Sequence, residues 1–272
     1  MSEQIRSKMH KKKLFLFDID GTIAVDERVF EGTMELLSYI RSIGGRSVYI
    51  TNNSTKSRAD YVEKFHRMGI EAEESDFITA TYAICQYLKK NHRNDWIYVA
   101  GTKSFIQELE QEGFHVTTDG QRDVQVVLVG FDSELTYEKV TCVCRYLLTR
   151  PDCVYLATNP DLCCPTGFGS IPDCGAICKM ISYAAKRMPL YLGKPNPAIV
   201  EYCLEQTGFS KEETLVVGDR LYTDIAVGIA ADVDTALVFT GEAKPEDLKD
   251  SEYLPTWKFD SIRQLADCFM GK

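Results

Sequence analysis

The feature that most constrains this chain is a repeated alternation. Short apolar runs are separated by stretches with helical periodicity from one end of the sequence to the other. Residues 13–18, 46–51, 97–101, 125–130, 154–157, 190–193, 215–218 and 235–239 are rich in Val, Ile, Leu, Phe and Tyr. They are too short for helices and lack the alternating pattern of half-exposed strands, so they read as strands covered on both faces. Strands alternating with helices build a mainly parallel sheet with helices on both sides. Helix signals lie between several of them. Ser57 and Asp60 form a capping-box start ahead of Tyr61, Phe65 and Met68, with Gly69 as the stop. Asn196-Pro197 precedes an apolar face of Ile199, Val200, Cys203 and Leu204 that stops at Gly208. Residues 136–149 and 175–187 are two further amphipathic candidates.

Composition excludes several classes. The formal net charge is −9, and the longest basic run is Lys11-Lys12-Lys13, so no basic face is available for sequence-independent nucleic-acid binding. No segment approaches the ~20 apolar residues of a membrane span. The apolar run after the three lysines ends at Asp18, which is too short for a signal peptide. The ten cysteines lack the regular spacing of a disulfide framework; eight lie between Cys142 and Cys203, without a C-x-x-C pair or a histidine among them to suggest zinc. A cytoplasmic location is expected, with no nucleic-acid and no membrane partner.

Polar chemistry gathers where the strands end, which in an open α/β sheet is where ligands bind. The first strand runs into Asp18-Ile19-Asp20-Gly21-Thr22, the second into Thr51-Asn52-Asn53-Ser54, and the strand at 190–193 into Lys194. The strand at 215–218 runs into Asp219-Arg220, with Asp224 beyond. Taken singly, D-x-D reads as an Asx-type turn, the Thr-Asn-Asn run as a polar loop and Lys194 as a solvated charge. Together they offer carboxylates suited to a hard cation and donors suited to an anion.

In this order the motifs resemble those of the haloacid dehalogenase-like hydrolases, and Thr51-Asn52-Asn53, Gly193-Lys194-Pro195-Asn196-Pro197 and Gly218-Asp219-Arg220-Leu221-x-Thr223-Asp224 resemble the NagD-like, 4-nitrophenyl-phosphatase-like branch. The resemblance implies a Rossmann-like, doubly wound α/β core with an inserted α/β cap domain. Lys194 lies 143 residues beyond Thr51, far more than the ~30 of a βαβ unit. The expected division is therefore 1–80 and 188–272 for the core and 81–187 for a cap carrying substrate specificity.

The same resemblance implies a Mg²⁺-dependent phosphatase of small phosphorylated metabolites, sugar phosphates or nucleoside monophosphates. Asp18 is the expected nucleophile, forming an aspartyl-phosphate, and Asp20 the acid and base. Thr51, Asn52 and Lys194 are expected to bind phosphate. Mg²⁺ is expected on the Asp18 carboxylate, the Asp20 carbonyl and Asp219, with Asp224 behind them orienting Lys194 or a water. Asn159 and Asp161, in the cap segment 157–165, are expected near the leaving group. Cys163 and Cys164 stand where pyridoxal-phosphate phosphatases of this branch have an aromatic residue and a histidine, which argues against a pyridoxal substrate. Pairing through the caps, known in the family, admits a homodimer. The competing readings are a phosphotransferase or mutase on the same core and a non-catalytic binding protein. The first is opposed by the lack of room for a cap between Asp20 and Thr51, the second by the presence of Asp18, Asp20 and Asp219.

Overall fold

A computed structural model describes residues 7–166 and 168–271. The chain forms two compact units, one of residues 1–51, 62–78 and 195–272, the other of residues 52–61 and 79–194.

The first unit is built on a six-stranded sheet. Its strands are β1 (Leu14–Phe17), β4 (Arg46–Thr51), β5 (Phe77–Thr79), β13 (Thr214–Gly218), β14 (Asp234–Val238) and β15 (Trp257–Phe259), in the order β15-β14-β13-β1-β4-β5. A short hairpin of β2 (Ala24–Val25) and β3 (Arg28–Val29) follows β1. Parallel pairing places Phe17 of β1 beside Val217 of β13 and Tyr49 of β4, so the three chain segments leave the sheet at one end. All four residues of β1 and all five of β13 are buried, as continuous apolar runs in a parallel sheet require. Phe15 packs on Phe17 and on Phe269, and Tyr49, Phe65 and Phe77 form a second aromatic group with centroids 4.5–5.3 Å apart.

The second unit has its own five-stranded sheet. Its strands are β6 (Trp96–Ala100), β7 (His115–Thr117), β8 (Val126–Val129), β9 (Val154–Ala157) and β12 (Leu190–Tyr191), ordered β12-β9-β8-β6-β7 with all four pairs parallel. The helices Ala80–Asn91, Lys103–Gln111, Tyr137–Thr149 and Cys174–Ala185 begin at Thr79, Thr102, Thr136 and Asp173, whose side chains each accept a backbone N–H of the first turn. An antiparallel hairpin, β10 (Cys163–Thr166) with β11 (Gly169–Pro172), precedes the last of these helices.

The observed division differs from the expected 81–187 at both ends. Residues 52–61 group with the second unit because Ser54 Oγ accepts the Phe131 N–H at 3.0 Å, Ser104 donates to Asp60 at 2.9 Å, and Arg58 pairs with Glu108 and Glu112. Residues 188–194 group with it because β12 pairs with β9, Leu190 beside Leu156 and Tyr191 beside Ala157. Lys194 thus follows a strand of the second sheet, not a fourth strand of the first. The apolar run at 190–193 is the same in either sheet; only the pairing partner differs.

Candidate active site

In the first unit three carboxylates converge. Asp18 follows β1, and its N–H donates to the Val217 carbonyl at 2.9 Å, continuing the ladder one residue past the strand. Thr22 Oγ1 donates to Asp18 Oδ2 at 3.3 Å. Between them the chain turns tightly, the Ile19 carbonyl accepting from the N–H groups of Thr22, Ile23 and Ala24. The turn requires Gly21. Its φ is +98°, and a Cβ there would lie 2.7 Å from Asp219 Oδ2.

Asp219 follows β13 and is 2% exposed. Its Oδ2 accepts the Glu242 N–H at 2.7 Å, whereas its Oδ1 is buried without a hydrogen-bond partner. Asp224, fully buried, lies on a π-helical turn, Leu221–Ile225, whose backbone is widened by the Ile225 N–H reaching the Arg220 carbonyl. Its Oδ2 accepts the Arg220 N–H at 3.0 Å. One oxygen from each of Asp18, Asp219 and Asp224 lies within 4.8 Å of the others. Burial, followed by the charges of Asp18 and Asp224, pushes the Asp219 carboxyl well above its ordinary range.

This donor set fits a divalent ion. Three carboxylates at such spacing repel one another, and Asp219 Oδ1, buried without a hydrogen-bond donor, is an oxygen that a hard cation can satisfy. Asp224, expected behind the metal ligands and orienting Lys194 or a water, has one oxygen within 4.8 Å of oxygens of Asp18 and Asp219.

Asp20 is paired with a lysine. Its Oδ1 accepts from Lys64 Nζ at 3.0 Å, and Lys64 is only 5% exposed. Thr51 ends β4 and is buried.

The remaining expected residues belong to the second unit. Asn52 hydrogen-bonds both main-chain groups of Lys194 and the Asp161 carboxylate. Asn159 and Asp161 are bonded to each other at 2.8 Å and are at most 1% exposed, and Lys194 is buried.

Comparison with known proteins gives the geometry a family. A model of haloacid dehalogenase-like hydrolases matches residues 15–115, and a HAD-hydrolase-like model matches residues 191–265. The acid sugar phosphatase of Staphylococcus epidermidis is 32% identical over 254 residues, which cover 93% of this chain and 96% of that protein. The chain belongs to the haloacid dehalogenase-like hydrolases. Among solved structures, the 4-nitrophenylphosphatase of Thermotoga maritima is similar with a TM-score of 0.90 and 35% identity, covering 96% of this chain and 99% of that one. NagD from E. coli K-12 is similar with a TM-score of 0.82 and 30% identity over 93% of this chain and 98% of that one. This hydrolase therefore falls in the NagD-like branch, and it is a phosphoric monoester hydrolase. Among the described residues no helix is long and apolar enough to cross a membrane.

Two participants in this hydrolase's site escape sequence reasoning. Lys64 carries a weak signal, since it occupies a stripe position between Tyr61 and Phe65 where a charge is out of place. Glu242 carries none, because it reaches Asp219 through its main-chain N–H, its side chain pairing with Arg220.

Proposed function

We propose that this hydrolase cleaves small phosphomonoesters, of the sugar-phosphate or nucleoside-monophosphate class, with Mg²⁺ and through an aspartyl-phosphate on Asp18. The observation that carries the reading is the convergence of Asp18, Asp219 and Asp224 around an Asp219 oxygen that has no donor.

The Asp18 and Asp219 carboxylates and the Asp20 carbonyl would hold Mg²⁺, with Asp224 alongside. When bound, the ion neutralises carboxylate charge and withdraws electron density from a phosphoryl oxygen. An Asp18 carboxylate oxygen attacks phosphorus, and a P–O bond forms as the bond to the leaving alkoxide breaks. Asp20 in its acid form gives that alkoxide a proton. As a carboxylate it then takes a proton from water, whose oxygen displaces Asp18 from phosphorus to release inorganic phosphate. Thr51, the Asn52 main chain and Lys194 would bind the phosphoryl oxygens, where negative charge is concentrated in the transition state.

The Lys64 ion pair supports a distinct role for Asp20, because it directs that carboxylate to its own partner, separate from the Asp18, Asp219 and Asp224 group. The second unit is the proposed cap, the part of the chain that selects the leaving group. The free cysteines among the described residues fit a reducing, cytoplasmic setting.

The test is turnover of 4-nitrophenyl phosphate by the wild type and Asp18→Asn, with Mg²⁺ and with EDTA. Turnover is expected to need both Mg²⁺ and Asp18. Activity that survives EDTA and the substitution would overturn the mechanism.

A further inference from the structure

A buried polar chain in the second unit ends on the Lys194 main chain. Asn52 stands at its centre. Its Oδ1 accepts the Lys194 N–H at 2.7 Å and its Nδ2 donates to the Lys194 carbonyl at 3.0 Å, so one amide grips both main-chain groups of one residue. The other Nδ2 hydrogen goes to Asp161 Oδ2 at 2.6 Å. That same carboxylate oxygen accepts from Asn159 Nδ2 at 2.8 Å, and Asn159 Nδ2 also donates to Asp173 Oδ1 at 3.0 Å. Thr158 Oγ1 fixes the other end of the Asn159 amide by donating to its Oδ1 at 2.7 Å. Asp173 is anchored as the N-cap of the helix Cys174–Ala185. All of these residues are buried, Asn159 and Asp161 almost completely.

The carboxylate shares in setting the polarity of the chain. A side-chain amide can be turned over with little change of shape, exchanging its oxygen and its NH₂. Turned over here, Asn52 would set its oxygen against Asp161 Oδ2 and the Lys194 carbonyl and its NH₂ against the Lys194 N–H, three repulsive contacts in a dry site. Asp161 Oδ2 accepts from Asn52 Nδ2 and so adds to the Lys194 main chain in holding Asn52 in the orientation that clamps Lys194. The neighbouring residue closes the clamp from the other side. The Gly193 N–H donates to the Thr158 carbonyl at 2.6 Å, and a Cβ at 193 would lie 2.4 Å from that oxygen and 2.5 Å from Asn52 Oδ1.

We propose that Asp161 is a positioning residue that acts through Asn52 on Lys194, holding the Lys194 main chain so that its ammonium is presented at one place. The inference rests on the reading of Lys194 as a phosphoryl-binding group. It assigns Asp161 to the support of that group and not to the leaving group, since its carboxylate is 1% exposed and already engaged by two amides.

The experiment is a double-substitution cycle. Asp161→Asn keeps the shape but lets residue 161 donate or accept, so that the Lys194 main chain alone orients Asn52 and the carboxylate's share of the clamp is lost. kcat and KM are measured for the wild type, D161N, K194A and D161N/K194A, with 4-nitrophenyl phosphate and with glucose 6-phosphate. D161N is expected to lose about 10- to 100-fold in kcat, the cost of a misplaced transition-state contact, by the same factor for both substrates. In the K194A background the same substitution is expected to cost less than about 2-fold, because the group it positions is gone.

Wild-type kcat in D161N, an undiminished loss in the K194A background, or a loss confined to the KM of one substrate would each overturn the proposal. K194A turning over at the wild-type rate would instead overturn the reading of Lys194 on which it rests. Should D161N fail to fold, Asn159→Ser withdraws one donor from Asp161 without touching Asn52. A loss of about 3- to 10-fold in kcat that vanishes in the K194A background is then expected, and an additive loss or none refutes the coupling.

Discussion

Asp219 gives a prediction in which stability and activity move in opposite directions. In the protein without a cation its carboxylate faces those of Asp18 and Asp224 within 4.8 Å. Two unit charges at that distance, with an effective dielectric of ~20, repel by about 3.5 kcal/mol per pair. Proton uptake by Asp219 limits the total. A carboxyl with an ordinary value near 3.8 cannot cost more than about 5 kcal/mol at pH ~7.5, since protonation then relieves it. Asp219→Asn removes this repulsion. The amide oxygen can keep the Glu242 N–H bond, and its NH₂ supplies a donor where Oδ1 now has no partner. With an unfolding entropy of about 2.1 cal/mol/K per residue over the whole chain, a gain of about 3.5–5 kcal/mol raises the melting temperature by roughly 6–9 °C. The assay is thermal unfolding of the wild type and D219N in EDTA and in Mg²⁺. Wild type is expected to gain stability from Mg²⁺ by mass action, and D219N to melt higher in EDTA, gain little from Mg²⁺ and hydrolyse no 4-nitrophenyl phosphate. An unchanged or lower melting temperature for D219N in EDTA, or an undiminished Mg²⁺ shift, would refute the carboxylate-repulsion argument.

Lys64 holds Asp20, so Lys64→Met is expected to cost about 10-fold in kcat/KM for an alkyl phosphate, whose leaving group needs a proton. For 4-nitrophenyl phosphate, whose leaving group departs as a stable anion, the expected cost is under about 3-fold; equal losses would argue against Asp20 as the acid. Away from the site, Lys12 is buried and pairs with Asp234 at 2.6 Å. Asp234→Asn leaves that ammonium without its counter-charge and is expected to cost about 3 kcal/mol in denaturant unfolding at neutral pH. Burial alone would raise the Asp234 carboxyl, but Lys12 and Lys8 outweigh it and hold the group below its ordinary value of 3.8. The pair's contribution is then complete above that value and is lost as pH falls below it, so wild type and D234N should converge in stability between about pH 4 and 2. A gap that persists there would refute the assignment.

Much of this molecule can be read from its residues because the signals are local. Continuous apolar runs mark β1, β4, β13 and β14, for a strand covered on both faces has no solvated side to interrupt the pattern. The Ser57 and Asp60 capping box is equally local, and both of its reciprocal bonds are present, at 2.8 and 3.2 Å. Strand pairing is not local. The run at 190–193 suits any buried strand, and nothing in it specifies β9 as its partner. The short strands β5, β7, β10, β11 and β15 also escaped, since three or four residues cannot establish a period.

The sequence by itself determined which chemistry the chain carries. Asp18, Asp20, Asp219 and Asp224 stand at strand ends, where each alone reads as a turn residue, and it is their order along the chain that resembles a family. Only the tertiary structure decided what those groups face. It brings Asp224 in with Asp18 and Asp219, and it turns Asp20 to Lys64. It also buries Asn159 and Asp161 in a network that ends at Lys194. The physical reason is one of range. Propensity, capping and burial of a strand are settled within a few residues, whereas a hydrogen bond between Asn52 and Asp161, 109 positions apart, depends on how the chain between them folds.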